Sequence, residues 1–247
     1  MSLGPITGGT LYGVGVGPGE RDYLTLRAVA VIRAADVVAF FAKKGGAGTA
    51  RTIVGDLVPK GRRELPLHYP MTTERPPHDP VYREELAAFY EAACAQLADE
   101  LSAGRSVAVL AEGDPFFYGS FMHLWRRLVG RFPVEIVPGV TGMSGCWTRA
   151  GVPITWGDDA LAVLPATLPA ERLTAKLRDA DAAVVMKLGR NLPKVRRALA
   201  EAGLTERAVY VERGTMHGER VLPLSEKEDD EAPYFSVVLV PGEGRRP

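Results

Sequence analysis

"TLYGVGVGPGERDYLTLRAVAVIRAADVVAFF", residues 10–41, reads as a strand, a glycine-rich turn, a helix and a second strand. The apolar run at 10–16 ends in glycines. Leu24, Ala28, Val31, Ile32 and Ala35 then recur at the spacing of a helix that buries one face, and "DVVAFF" (36–41) is again β-rich. A strand, a crossover helix and a strand form the unit of a parallel sheet, so this stretch decides for an α/β fold.

The same alternation continues outward. A short helix near "ARTIVGDLV" (50–58) and a strand "RELPLHY" (63–69) lead to a Pro- and Thr-rich loop, "PMTTERPPHDP" (70–80). A long helix from Tyr82 to Leu101 carries Leu86, Phe89, Tyr90, Leu97 and Leu101 on one side and stops at Gly104. Strand "SVAVLAE" (106–112), a helix through "FMHLWRRLV" (121–129) and strand "VEIVPG" (134–139) follow. Five strands thus complete an open, mostly parallel sheet, and the expected boundary divides an N-terminal domain, 1–138, from a C-terminal one, 139–247. In the second, "ALAVLPA", "AAVVMKLG", "RAVYVER", "RVLPL" and "YFSVVLVPG" read as strands and "PAERLTAKLRD" and "NLPKVRRALAEAG" as helices. The last strands follow one another without a helix between them, so this sheet of about five strands is expected to be mixed. The acidic run "EKEDDE" (226–231) reads as a solvated loop between two of them.

Composition narrows the function. Of 247 residues, 46% are hydrophobic and 24% charged, with 30 acids against 30 bases, which suits a soluble globular chain and gives no general attraction to nucleic acid or membrane. No apolar stretch reaches the length of a membrane span, and "MSLGPITGGT" lacks the marks of a secretory signal. Cys94 and Cys146 form no CxxC pair, so a reducing cytoplasm is the expected location. His68, His78, His123 and His217 show no metal-ligand spacing, and no metal is expected.

The glycine turn fits neither common phosphate loop. A dinucleotide fingerprint starting at Gly13 would need glycine where Pro18 stands, and one starting at Gly15 would need it where Glu20 stands. No G-x-x-x-x-G-K-[ST] occurs, "KKGGAGTART" (43–52) included. What remains is a turn without side chains, stiffened by Pro18 and followed by an acid. It either permits a tight strand-to-helix turn or admits a neutral-to-cationic ligand close to the backbone.

Four more strand ends share this character. "EGDPFFYGS" (112–120) follows a buried strand where an open α/β sheet places its ligands, and "VPGVTGMSGC" (137–146) repeats the arrangement with Thr141, Gly142 and Ser144 at a helix start. "VVMKLGRN" carries Met186 and Asn191, and "YVERGT" carries Glu212, Arg213, Gly214 and Thr215. Together they describe a ligand cleft between two sheets.

In order and spacing, "VGVGPGERDYLTLRA", "EGDPFFYGS", "PGVTGMSG", "VVMKLGRNL" and "ERGT" resemble the loops of the tetrapyrrole methylases of cobalamin and sirohaem biosynthesis, and the resemblance runs from about Thr10 to Gly242. It implies two α/β domains with S-adenosylmethionine bound between them, a tetrapyrrole substrate and a homodimer. "PLHYPMTTE", "EGDPFFYGSFMHL" and "MKLGRNLPKVRRAL" look most like members that methylate the meso carbon between rings A and D. Glu20 and Tyr23 depart from the commoner Asp and Leu, and Thr141-Gly142 from a commoner pair of serines.

Carried over residue by residue, the resemblance implies that Pro18, Gly113, Asp114, Phe117, Ser120, Thr141, Gly142, Met186, Gly214 and Thr215 line the cofactor site. Gly15 and Gly17 are expected to shape the adjoining substrate pocket. Asp114, Glu112, Tyr118 and Glu212 are the candidates for removing a proton from the methylated carbon. Arg51, Arg75, Arg149, Lys187 and Arg190 stand in or beside the loops and could meet the carboxylates that such a substrate carries. Other methylases of the fold, and a tetrapyrrole carrier without catalysis, are the alternatives.

Overall fold

The computed structural model describes residues 9–70 and 80–244. These fall into two compact units that divide between Thr141 and Gly142.

The first unit contains β1 (Leu11–Gly15), α1 (Leu26–Ala34), β2 (Val37–Lys43), α2 (Thr49–Val54), β3 (Arg63–Tyr69), α3 (Pro80–Ser102), β4 (Val107–Ala111), α4 (Phe121–Leu128) and β5 (Val134–Val137). Its strands run in the order β3-β2-β4-β1-β5, every neighbouring pair parallel. Both faces are covered, which is why β1 and β4 are apolar or glycine throughout and wholly buried. Leu11, Val37, Val107 and Val109 pack on one face with Leu97 of α3 and Phe121, Leu124 and Leu128 of α4. Tyr12, Val14, Val38 and Leu110 pack on the other with Val31 and Ile32 of α1 and Ile53 of α2.

Local chemistry sets the helix ends. The Thr25 hydroxyl accepts from the Ala28 amide at 3.1 Å and caps α1, whose buried residues Ala28, Val31 and Ile32 belong to the expected stripe. After α3 the chain turns at Gly104, with φ +77°, where the Gly104 amide donates to Leu101 O at 3.0 Å.

The second unit holds α5 (Gly142–Ala150), β6 (Leu161–Pro165), α6 (Ala170–Asp179), β7 (Ala182–Met186), α7 (Leu192–Glu201), β8 (Val209–Glu212), β9 (Arg220–Pro223) and β10 (Ser236–Val240). The strand order is β6-β7-β10-β8-β9. β6 and β7 are parallel, while β10 lies antiparallel between β7 and β8, and β9 is antiparallel to β8, so the sheet is mixed as its closing run of strands requires. Helices α6 and α7 cover one face through Leu173, Leu177, Val195 and Leu199 against Val185, Tyr210 and Val238. On the other face Cys146 of α5 packs on Val184, Val211 and Leu239.

The acidic run 226–231 does connect β9 to β10, but one of its residues is not solvated. Lys227 has a side chain only 1% exposed, lies 4.7 Å from the Tyr210 ring centroid and pairs with Asp229 at 2.7 Å. Its apolar stem and its charge both find partners, which a reading of net charge along the chain cannot show.

Candidate active site

The first sheet switches direction between β1 and β4. From β1 the chain turns to α1 on one face, and from β4 it turns to α4 on the opposite face. Between two strands that part in this way an open sheet leaves a crevice at the carboxyl ends, where ligands bind.

The crevice floor is backbone. Gly17 and Gly113 pair as an isolated bridge, Gly113 N donating to Gly17 O at 2.8 Å and Gly17 N to Gly113 O at 3.3 Å. A Cβ on Gly15 would lie 2.6 Å from Gly139 N and 2.7 Å from Gly113 O, so the loops after β1, β4 and β5 meet only because those positions lack side chains. The "GVGVGPGE" glycines therefore do what the tight-turn reading required, and they also bring three strand ends within backbone contact.

Asp114 clamps this assembly. Its Oδ1 accepts from Phe116 N at 2.8 Å and its Oδ2 from Gly139 N at 3.1 Å, tying the loop after β4 to the end of β5. Neighbouring Glu112 accepts from Ala50 N at 3.2 Å, at the start of α2, and burial pushes its carboxyl above the ordinary carboxylate value. Raised in the folded state, that group stabilises the fold least when ionised. Glu112→Gln keeps an acceptor for Ala50 and removes the charge. Its stability relative to the wild type should therefore rise as pH climbs above the ordinary value of 4.5, and urea-unfolding midpoints in the variant and wild type at about pH 4 and about pH 8 check this.

Further along the loop, Phe117 is half-buried and Tyr118 exposed. Ser120, immediately before α4, makes no capping bond to its helix; its Oγ instead meets the Tyr69 hydroxyl.

In the second unit the loops after β7 and β8 carry the remaining positions. Met186 ends β7, and its carbonyl accepts from Ala166 N at 2.7 Å. Glu212 ends β8 with its carboxylate engaged by Tyr210 OH at 3.0 Å, Arg213 at 3.1 Å and Arg220 at 3.7 Å. A Cβ on Gly214 would press on Cys146 Sγ at 2.8 Å, and burial pushes that thiol up to about 12, which makes it packing and not a nucleophile. Thr215 is 4% exposed; its amide donates to Glu219 at 2.7 Å, but its Oγ1 is buried without a hydrogen-bond partner among the described residues. At Gly142, which opens α5, a Cβ would meet nothing within 4 Å among the described residues.

One signal unites these loops. Among the described residues, the non-glycine positions with positive φ are Tyr118, Lys187, Arg213 and Thr215, at +54°, +58°, +49° and +66°. All four follow the carboxyl ends of β4, β7 or β8. Strained backbone of this kind persists where the surroundings over-determine it, and it concentrates at functional sites.

The candidate cations sort differently. Arg51 is committed: Nε and Nη2 bind Glu64 at 2.6 and 2.9 Å, and Nη1 binds Gly55 O at 2.9 Å. Arg149 Nε binds both oxygens of Glu219, the residue that also receives the Thr215 amide, so it braces the loop after β8. Lys187 and Arg190 are exposed beside the end of β7, and Arg75 lies outside the described residues. Tyr69, Glu219 and the Gly139 amide are participants that sequence reasoning passed over. Only distance in space, across 51 residues for Tyr69 and Ser120 and 70 for Arg149 and Glu219, gives them their place.

Comparison with known proteins gives the family. The model of the Tetrapyrrole (Corrin/Porphyrin) Methylases matches residues 10–228. The chain belongs to the tetrapyrrole methylases. A relative from Sinorhizobium sp, named precorrin-2 C(20)-methyltransferase, is 55% identical over 97% of this methylase chain and 98% of its own. Among solved structures, a cobalt precorrin-4 methyltransferase superposes with a TM-score of 0.74 at 21% identity, covering 97% of each chain. A Thermus thermophilus uroporphyrin-III C-methyltransferase complexed with S-adenosyl homocysteine gives 0.63 at 23% identity, covering 96% of this chain and 93% of the other. At those identities the two structures speak for the fold. Among the described residues of this methylase no helix is long and apolar enough to cross a membrane.

Proposed function

We propose that this methylase transfers the methyl group of S-adenosylmethionine to C-20 of precorrin-2, giving precorrin-3A. The observation that carries the reading is the 55% identity, over nearly all of both chains, to the relative bearing that activity in its name.

The residues fit the cofactor on physical grounds. Gly113 and Asp114, with Pro18 beside them, present backbone and a carboxylate at the switch in the first sheet, suited to a cation and hostile to phosphate. Phe117 and Ser120 extend that loop. Thr141 and Gly142, where nothing fills the space of a Cβ, and Met186 and Gly214 offer backbone at close range, while the unpartnered Oγ1 of Thr215 is a hydrogen-bonding group that a ligand would satisfy.

When bound, the cofactor supplies an electrophilic methyl group on a sulfonium. With so activated a methyl group and an enamine-like C-20 as its acceptor, the protein itself would need to supply no covalent intermediate. Its task is alignment and exclusion of water, which can contribute on the order of 7 to 11 kcal/mol. Attraction between Asp114 and the sulfonium fades as charge leaves in the transition state, so Asp114 serves binding more than rate. The C-20 proton must then go to a base. Asp114 carries a backbone donor on each oxygen and Glu212 is held by Tyr210 and Arg213. Glu112 is held at one oxygen by the Ala50 amide and burial raises its carboxyl pKa, so of the three carboxylates this favours Glu112, with Tyr118 the fourth candidate. Gly15 and Gly17 shape the substrate side, and Lys187 and Arg190 are the exposed cations for its carboxylates. We further place the protein in the cytoplasm as a homodimer; light scattering on the purified protein checks the dimer.

Anaerobic incubation with S-adenosylmethionine and, separately, metal-free and cobalt-containing precorrin-2 tests the reading. The expected product carries one new methyl, located at C-20 by NMR, and forms faster from the metal-free substrate. Cofactor binding without methylation of either would point to a different tetrapyrrole or to a carrier.

A further inference from the structure

We infer that Tyr69 is a positioning residue that aims the hydroxyl of Ser120 at an oxygen acceptor of the bound cofactor. The inference rests on the proposed use of S-adenosylmethionine and names a residue which that reading leaves without a role.

Tyr69 is the last residue of β3 and so stands at the carboxyl end of the first sheet. Its ring is held on two sides, stacked on Phe41 with centroids 5.4 Å apart and against Phe89 at 4.7 Å. Those contacts fix where the phenol oxygen points, and it points at Ser120 Oγ. A serine immediately before a helix ordinarily spends its hydroxyl on the helix amides. Ser120 does not: its backbone is already helical, at φ −66° and ψ −22°, and its side chain makes no cap bond.

A pair of hydroxyls has two protons, and the bond between them uses one. With Tyr69 donating, Ser120 retains a proton that has no acceptor among the described residues. It lies six residues beyond Asp114, on the loop between β4 and α4. A carboxylate or ribose oxygen of the cofactor is the chemistry that proton would recognise.

Tyr69→Phe tests this cleanly, because it keeps both ring contacts and deletes only the hydroxyl. Calorimetric titration with S-adenosylhomocysteine is expected to show affinity lowered roughly fivefold to tenfold, the worth of one hydrogen bond, with little change in the thermal midpoint. In turnover the rise in KM for S-adenosylmethionine should exceed the fall in kcat. Ser120→Ala should lose at least as much affinity, and the double variant should be no weaker than Ser120→Ala alone, since Tyr69 acts through Ser120. Wild-type affinity in Tyr69→Phe, or full additivity in the double variant, overturns the inference while leaving the proposed function intact. Failure of the wild-type protein to bind S-adenosylhomocysteine overturns both.

Discussion

Gly139→Ala should unfold at markedly lower urea concentration than the wild type and lose most of its affinity for S-adenosylhomocysteine. A Cβ on Gly139 collides with the carbonyl oxygen of Gly113 and comes within 2.9 Å of Gly15 Cα. Both obstacles are main chain, so no side chain can rotate to make room. Relief requires the loops after β1 and β4 to part, which breaks the Gly17–Gly113 bridge and draws the Gly139 amide away from Asp114. Overpacking of this kind costs about 3 kcal/mol, at the upper end of what added methyl groups do in a tight interior. Gly142→Ala is the informative contrast. Among the described residues nothing lies within 4 Å of a Cβ there, and alanine favours a helix by up to about 1 kcal/mol over glycine. That variant should be as stable as the wild type or more so, and should still bind S-adenosylhomocysteine less well if the open space beside Gly142 receives the ligand. Equal unfolding midpoints for Gly139→Ala and wild type would refute the close-packed floor.

These glycines also show what a sequence can and cannot disclose. The absence of side chains at residues 13, 15 and 17 is visible in the letters, and so is the failure of the dinucleotide pattern at Pro18 and Glu20. That Gly15 faces Gly139 is not visible, because the contact joins segments brought together only by the β1–β5 pairing. The strand and helix order was legible for the same reason that the first sheet is stable: residues buried on both faces must be apolar, and β1, β4 and β2 as far as Ala42 are continuous in that respect. The order of the second sheet was hidden. β10, the last strand, inserts between β7 and β8, and its run of buried Val and Leu would suit any neighbour. The cations were legible as types and not as states. Arg51 and Arg149 look as available in the sequence as Arg190, yet Glu64 and Glu219 neutralise the first two. Positive φ at Lys187 and Arg213 is likewise a property of the fold, since neither residue type announces it.

Asp114→Asn should lower kcat/KM for S-adenosylmethionine by roughly thirtyfold while preserving the shape of the pH–rate profile, which corresponds to about 2 kcal/mol. The aspartate accepts one backbone N–H on each oxygen, from Phe116 and from Gly139. Asparagine has one oxygen and one NH2, so whichever way the amide turns, it sets a donor against one of those two donors. One charge-assisted bond is lost, worth about 1.5 to 3 kcal/mol, and the negative charge beside the proposed sulfonium is lost with it. Both effects fall on binding, and KM should carry most of the change. If Asp114 were instead the base that receives the C-20 proton, the substitution would remove a titrating group from turnover. The fall would then appear in kcat, the acidic limb of the profile would shift, and S-adenosylhomocysteine would bind almost as before. The first outcome is the one expected from the geometry, because a carboxylate whose two oxygens hold the loop after β4 to the end of β5 is already occupied by backbone donors. Measuring kcat and KM separately for Asp114→Asn, across pH, distinguishes a clamp from a base in one series.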